Sequence, residues 1–257
     1  MSSSEDLFSV RGRRVLVTGG SGGIGLMLAR GFAAAGAEVI VSSRDAEACE
    51  AAAAEIGGVA VPADVGTDAG VATLVEAVGD RWGGLEVLIN NAGVAWGAPL
   101  DEYPVEAFDK QWRVNVRGAF ALTQGLLAPL RASAREGALA RVINIGSVDG
   151  MRVPFFDNFG YSATKAAVHM LTRHLAEALA TDGITVNAIA SGPFRSKMMR
   201  SVLDDERTGP EILARIPLGR LGASADVAGL AIFLASPAAS WLTGAVIPLD
   251  GGLSLRS

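Results

Sequence analysis

Six stretches of the chain are almost unbroken Val, Ile and Leu: "RVLVTG" (14–19), "EVIVSS" (38–43), "VAVPAD" (59–64), "LEVLINNAG" (85–93), "ARVINIGS" (140–147) and "ITVNAIA" (184–190). A strand with one wet face alternates apolar and polar residues, whereas a run that is apolar throughout must be covered on both faces. Longer segments of helical character, roughly 23–35, 45–56, 67–82, 104–133 and 160–182, separate these runs. Repeated strand–helix–strand units leave few options: parallel strands in one sheet, joined by crossovers that pack helices on both faces. A further run, "AVIPLDGG" (245–252), predicts a last strand. The fold class expected is therefore α/β, a doubly wound parallel sheet.

Nothing in the chain divides it. Its 257 residues are half hydrophobic and 19% charged, enough for one sizeable core. Residues 1–7 are expected to form a flexible N-terminus and 8–257 a single domain. Only 193–222, "PFRSKMMRSVLDDERTGPEILARIPLGRLG", breaks the rhythm. Charged and helix-prone, it predicts a lid over the carboxyl ends of the strands, where ligands bind in such sheets. A net charge of −5 offers no basic footprint for nucleic acid. One cysteine, Cys49, excludes an internal disulfide, and with His169 and His174 the only histidines no metal is expected. The start "MSSSEDLFSVRGRR" has no apolar core of a signal peptide, and "VAGLAIFLA" (227–235) is far shorter than the ~18 residues of a membrane span. No membrane contact and a cytoplasmic location are expected.

"RVLVTGGSGGIGLMLA" places a glycine cluster between the first strand and the first helix. Gly20, Gly22 and Gly25 give G-x-G-x-x-G, while Gly19, Gly23 and Gly25 give G-x-x-x-G-x-G. Either spacing lets backbone N–H groups and the helix N-terminus approach a pyrophosphate, with Ser21 and Ile24 inside the loop. This context predicts a dinucleotide site on a Rossmann-type sheet; a tight turn that binds nothing is the plain alternative. The second strand ends in Ser42, Ser43 and Arg44 rather than in an acidic residue. Hydroxyls and a guanidinium suit a 2′-phosphate, so NADP(H) is favoured and NAD(H) stays open. Asp45, which follows, reads as the N-cap of the next helix. Asp64 and Val65, just past the third strand, are placed to border the adenine or to shape their loop.

The chain has two tyrosines, Tyr103 and Tyr161, and the second stands four residues before Lys165, on one helix face. Taken alone, the pair also fits a half-buried aromatic beside a snorkelling lysine. A free phenol has a pKa near ~10, and a cation at ~4 Å favours the phenolate by roughly 1–4 kcal/mol. Tyr161 is thus a candidate acid for ketone reduction and base for alcohol oxidation. Ser147 ends the fifth strand, and Asn115 lies in the helix after the fourth.

With "TGGSGGIG" and "NNAG" (90–93) these residues stand in an order that resembles the short-chain dehydrogenases/reductases over 8–253. The likeness is greatest to bacterial 3-oxoacyl reductases, including the rhamnolipid-associated type, through "ARVINIGSV" and "VIPLDGG". The resemblance implies that Lys165 also holds the nicotinamide ribose and that Ser147 hydrogen-bonds the substrate oxygen. It implies that Asn115 holds a water in a proton relay to Lys165. Asn91, Ala92 and Gly93 of "NNAG", and Gly192, Pro193, Phe194 and Ser196 of the segment after the sixth strand, would lie against the cofactor. A homo-oligomer, tetramer or dimer, is implied through helices 104–133 and 160–182 and the last strand.

Three features depart from the family pattern. Gly22 stands where many NADP-preferring relatives carry a basic residue, leaving Arg44 nearly alone. Ser191-Gly192, followed by Pro193, replaces a Pro-Gly. Glu177 and Asp182 stand near the end of the tyrosine helix, where reductases of carrier-bound substrates present basic residues. Like charges cost affinity, so a free ketone, a small β-keto ester or a CoA thioester is favoured over an acyl-carrier substrate. Phe155, Phe156, Phe159, Trp96, Met198 and Met199 are candidates to line an apolar substrate pocket, with core packing the default for each. His169 continues the Tyr161–Lys165 stripe and reads as a satisfied helix histidine. The expected activity is an NADP(H)-dependent ketoreductase of the 3-oxoacyl reductase type. An alcohol, polyol or hydroxysteroid dehydrogenase of the same family is the alternative, and a non-catalytic dinucleotide sensor a remote one.

Overall fold

Each apolar run becomes a strand covered on both faces. The structure, a computed structural model, describes residues 4–135, 139–197 and 199–255. In chain order the elements are α1 (Ser4–Phe8), β1 (Arg14–Thr18), α2 (Gly23–Ala34), β2 (Glu38–Ser42), α3 (Ala46–Ile56), β3 (Val59–Ala60), α4 (Asp68–Trp82) and β4 (Val87–Asn90). Then follow α5 (Val105–Trp112), α6 (Ala119–Gly125), α7 (Leu127–Arg135), β5 (Ala140–Ile145), α8 (Phe159–Leu179) and β6 (Ile184–Ser191). The last are α9 (Arg200–Leu203), α10 (Thr208–Arg215), α11 (Ser224–Ala235) and β7 (Val246–Leu249). The strands form one parallel sheet in the order β3-β2-β1-β4-β5-β6-β7, a doubly wound sheet with its switch between β1 and β4.

Alternate residues of a strand feed opposite layers. Val15 and Val17 pack with Leu28 and Phe32 of α2 on one face, while Leu16 between them joins Leu74 of α4 and Leu122 of α6 on the other. Ile40 and Leu88 repeat the position of Leu16 in β2 and β4. A third, smaller cluster of Val148, Ile212, Ile216 and Leu253 lies apart from both. It joins α10 to the turn that follows β5.

Two differences from the expected elements have local causes. The third strand is only two residues long because Pro62 has no N–H to pair, although Val61 and Ala63 still donate to Val41 O and Ser43 O at 2.9 Å. The segment 104–133 is several pieces, with a π-helical turn at Arg113–Gly118 and Pro129 in the first turn of α7. Two glycines there meet other elements closely: a Cβ on Gly118 would lie 2.7 Å from Val65 O, and one on Gly125 2.7 Å from Val75 Cγ2. Residues 4–8 form the short helix α1, with Phe8 against Phe233 at 6.3 Å between ring centroids. A polar ladder crosses the otherwise apolar layer. Asn90 Nδ2 donates to Asn144 Oδ1 (2.9 Å) and Thr123 Oγ1 (3.1 Å), and Asn144 Nδ2 donates to Thr172 Oγ1 (2.9 Å). It ties β4, β5, α6 and α8 at one level. Among the described residues, no helix is long and apolar enough to cross a membrane.

Candidate functional site

Parallel strands end together, so the carboxyl ends of β1, β4, β5 and β6 share one edge of the sheet. The glycine loop leaves β1 there. Gly19 (φ 64°) and Gly23 (φ 52°) adopt the left-handed conformation that glycine alone takes freely. A Cβ on Gly25 would lie 2.2 Å from Gly19 O and 2.5 Å from Asn91 Nδ2. Gly22 is extended, and a Cβ on it would meet nothing within 4 Å. The loop is therefore built on the spacing Gly19, Gly23, Gly25. Asn91 Nδ2 donates to Thr18 O (2.8 Å) and Gly19 O (3.2 Å), and Thr18 Oγ1 accepts from Asn91 N and Ala92 N at 3.0 and 3.1 Å. "NNAG" thus clamps the loop from below.

Gly22 caps α2 without a side-chain hydrogen bond, so the first-turn amides of α2 keep their donors for a ligand. Ser21 is half-buried beside them, and Ile24 faces the substrate cavity. Ser196 Cβ would come within 3.1 Å of a Cβ on Gly23, which brings the segment after β6 across the loop. Gly192 N donates to Leu249 O at 2.9 Å, Gly222 N donates to Pro193 O at 3.0 Å, and Phe194 is buried against Gly222. Ser191, at the altered Pro-Gly position, donates its hydroxyl to Gly146 O at 3.3 Å. Past β2, Ser43 Oγ donates to Asp45 O (2.9 Å) and Asp45 accepts from Ala48 N (3.1 Å), the N-cap that was expected. Arg44 is exposed and makes no ion pair among the described residues. Asp64 accepts from Gly66 N at 2.9 Å and shapes its own loop, while Val65 is buried. A Cβ-free cradle, an uncapped helix start and an unpaired guanidinium fit a dinucleotide that carries an extra phosphate.

Asn115 sits in the π-helical turn, a distortion common at functional sites. Its Oδ1 accepts from Val94 N (2.8 Å), and its Nδ2 donates to Val94 O (2.9 Å) and Thr164 Oγ1 (3.0 Å). Gly93 lies between it and Lys165: a Cβ there would be 3.4 Å from Asn115 Oδ1 and 3.8 Å from Lys165 Nζ. Lys165 is buried and donates to Ile145 O at 2.7 Å; its Nζ is 5.5 Å from the centroid of the Tyr161 ring. Tyr161 is half-buried, with the Ser147 side chain close to its hydroxyl.

The electrostatics correct one expectation. The lysine was to lower the phenol's pKa, but burial dominates and, with Asp149 nearby, pushes Tyr161 up to about 12 despite the opposing influence of Ser147. Burial pulls Lys165 down to about 8. His169 is not fully satisfied. It lies against the Gly150 backbone, but its buried Nε2 has no partner, and burial followed by the charges of Lys165 and Arg173 takes it down to about 4.

Ser147 and Tyr161 open into a cavity of about 570 Å3. Trp96, Phe155, Phe156 and Met199 line it as expected, whereas Phe159 turns away and meets Tyr103 edge-on at 5.6 Å. Met198 lies outside the described residues. Tyr103 anchors the start of α8 instead, its hydroxyl accepting from Gly160 N (3.1 Å) and Gln111 Nε2 (2.7 Å). Sequence reasoning passed over Asp149, Arg152 and Arg215, which also line the cavity. The first two follow Ser147 in "SVDGMR", but no spacing rule marks them.

The glycine loop, the Ser–Tyr–Lys set and the parallel sheet define a class, and comparison agrees. Residues 19–254 match the family model described as enoyl-(acyl carrier protein) reductase, and the chain belongs to the short-chain dehydrogenase/reductase family of oxidoreductases. It is 45% identical over 252 residues to the rhamnolipids biosynthesis 3-oxoacyl-[acyl-carrier-protein] reductase of Pseudomonas aeruginosa, covering 96% of this chain and 98% of that one. It is 35% identical over 259 residues to gluconate 5-dehydrogenase of Gluconobacter oxydans, covering 98% and 99% of the two chains. Among solved structures, the Pseudomonas aeruginosa RhlG/NADP active-site complex superposes with a TM-score of 0.94 at 44% identity, over 97% of this chain and 99% of that one.

Proposed function

We propose that this oxidoreductase is an NADP(H)-dependent ketoreductase of the 3-oxoacyl type. The observation that carries the reading is the convergence of Ser147 and Tyr161 on one apolar cavity beside the glycine loop, with Lys165 buried at the end of β5. Tyr161 Oη gives its proton to the substrate oxygen, while Ser147 Oγ hydrogen-bonds that oxygen as negative charge develops on it. A bound nicotinamide dinucleotide supplies the hydride. Lys165 keeps Tyr161's helix pinned to the end of β5 and, with its lowered pKa, passes a proton readily near neutrality. Asn115, through Val94 and Thr164, holds the wall beside Gly93. Burial keeps the phenol protonated well above neutral pH, the form that donates a proton when a carbonyl is reduced.

The loop at Gly19, Ser21, Gly23, Ile24 and Gly25 holds the diphosphate, Ser43 and Arg44 the 2′-phosphate, and Asp64 and Val65 border the adenine. Asn91 to Gly93, Lys165, Gly192 to Phe194 and Ser196 enclose the nicotinamide half. Residues 193–222 form the lid: α10 packs through its own small cluster onto the turn after Ser147. The substrate is a small 3-oxo ester, ketone or thioester. A carrier-borne acyl group is less favoured, since Glu177 is exposed near the end of α8, although Asp182 is tied to Arg131 at 2.7 Å. The enzyme is placed in the cytoplasm as a homo-oligomer. Exposed Val105, Trp112, Phe120 and Met170 on the faces of α5, α6 and α8 support that assembly.

Oxidation of NADPH and of NADH, followed with ethyl acetoacetate, acetoacetyl-CoA, a carrier mimic and a cyclic diketone, tests the reading. NADPH-dependent turnover is expected, falling about a thousandfold in Tyr161→Phe with cofactor binding retained. Turnover untouched by that substitution would sink the mechanism, and turnover with NADH alone would sink the cofactor assignment.

A further inference from the structure

Two arginines converge on one aromatic ring at the wall of the cavity. Arg215 Cζ lies 3.6 Å from the centroid of Phe155, and Arg152 Cζ lies 4.4 Å from it. The two guanidinium carbons are therefore no more than about 8 Å apart, the reach of one ring's two contacts. All three residues line the cavity that Ser147 and Tyr161 open into. Arg215 comes from α10 and Arg152 from the turn beyond β5, so both walls contribute.

Neither arginine has a carboxylate at ion-pair distance among the described residues. Arg215 is exposed, with its planar fork laid on Phe155. Arg152 Nε is buried without a partner, and Arg152 Nη1 reaches only the neighbouring Val153 O at 3.4 Å. Asp149 and Asp250 both feel the charge of Arg152, but neither reaches it at ion-pair distance, and their oxygens are taken up by other donors. Asp149 accepts from Asn158 Nδ2 at 3.0 Å, and Asp250 accepts from Gly252 N and Ser254 N at 2.9 and 2.6 Å. Asp204 pairs with Arg195 at 3.0 Å, and Asp157, which also lines the cavity, is exposed and makes no ion pair among the described residues. Two like charges brought to one ring repel each other, and the apolar surroundings raise the cost. An anion between them removes that repulsion and fills donors that the protein leaves open; a planar fork suits the two oxygens of a carboxylate or phosphate.

We propose that Arg215 and Arg152 form an anion-binding subsite of the substrate cavity, so that the substrate carries a carboxylate or a phosphate besides its reacting carbonyl. The proposal rests on the reading that this cavity takes a carbonyl substrate. It adds a charge requirement that an apolar 3-oxo ester would not meet.

Two matched pairs test it and separate the two sources of charge: acetoacetate against ethyl acetoacetate for a carboxylate, and acetoacetyl-CoA against acetoacetyl-N-acetylcysteamine for a phosphate. Arg215→Ala is expected to lower kcat/KM about tenfold or more for the anionic member of one pair, and to change its neutral partner by less than about twofold. Arg215→Lys, which keeps the charge, is expected to restore part of the loss. Equal losses on both members of each pair would overturn the subsite and leave Arg215 as a structural contact of the lid. Calorimetric titration of acetoacetate and ethyl acetoacetate into the protein with NADP+ reads the same preference without turnover. Charge-selective binding that depends on Arg215, with no ketone in the panel reduced, would overturn the ketoreductase reading and keep the subsite. Reduction of neutral ketones with no charge preference would do the reverse.

Discussion

Lys165 gives its ammonium to the Ile145 carbonyl, so it is held by β5 rather than by Tyr161, which faces Ser147 just beyond that strand. The i and i+4 spacing was legible in the sequence; the partners were not, because they come from a strand whose distance only the fold sets. His169, one turn further on, shows the same limit. From the sequence it is a helix histidine, but Gly146 and Gly150 close on it: a Cβ on Gly146 would lie 2.2 Å from its Nε2. Its pKa falls from the ordinary 6.5 to about 4. Between those values the unfolded chain binds a proton that the folded one refuses, so stability falls as pH drops through 6.5 and the loss levels off below 4. From about pH 7 to about pH 5 the loss attributable to this residue is about 2 kcal/mol. Urea unfolding of His169→Leu at the two pH values is expected to show a correspondingly shallower loss than the parent protein. A parallel loss in both would assign the acid sensitivity to other groups.

Strands buried on both faces announce themselves in any sequence, which is why all seven were readable, with only the Pro62 strand cut short. The long helical segment was read less well. Its breaks are set by the close approach of Gly118 to Val65 and of Gly125 to Val75, contacts between elements far apart in the chain. The glycine loop was legible as a loop but ambiguous in register, since both spacings fit the letters. Its geometry predicts opposite results for two neighbouring substitutions. Gly22→Ala has open space and extended backbone, and its unfolding midpoint is expected to stay near the parent's. Gly25→Ala drives a methyl into Gly19 O and is expected to cost about 1–3 kcal/mol and to weaken NADPH binding. Similar midpoints for the two variants would mean that the spacing has been misassigned.

The whole molecule separates its tasks by the two ends of the sheet. At the amino ends, Glu86 accepts from the Arg14 backbone and side chain, a partly buried pair far from the cavity. Chemistry gathers at the carboxyl ends. A third surface is the apolar face of α5, α6 and α8, legible in outline from the helix positions but not residue by residue. Light scattering is expected to give two or four times the 26.3 kDa chain mass. Trp112→Glu, which plants a charge on that face, is expected to lower the mass, and a 26.3 kDa particle in the parent protein would reject the assembly. The cavity was the least readable part: its arginines come from segments with no periodic signal, and only the fold brings Arg215 over Phe155. The small apolar cluster under α10 has a consequence for how such proteins diversify. It shares no members with the two main layers, so the residues that choose a substrate can be rewritten while the sheet keeps its register.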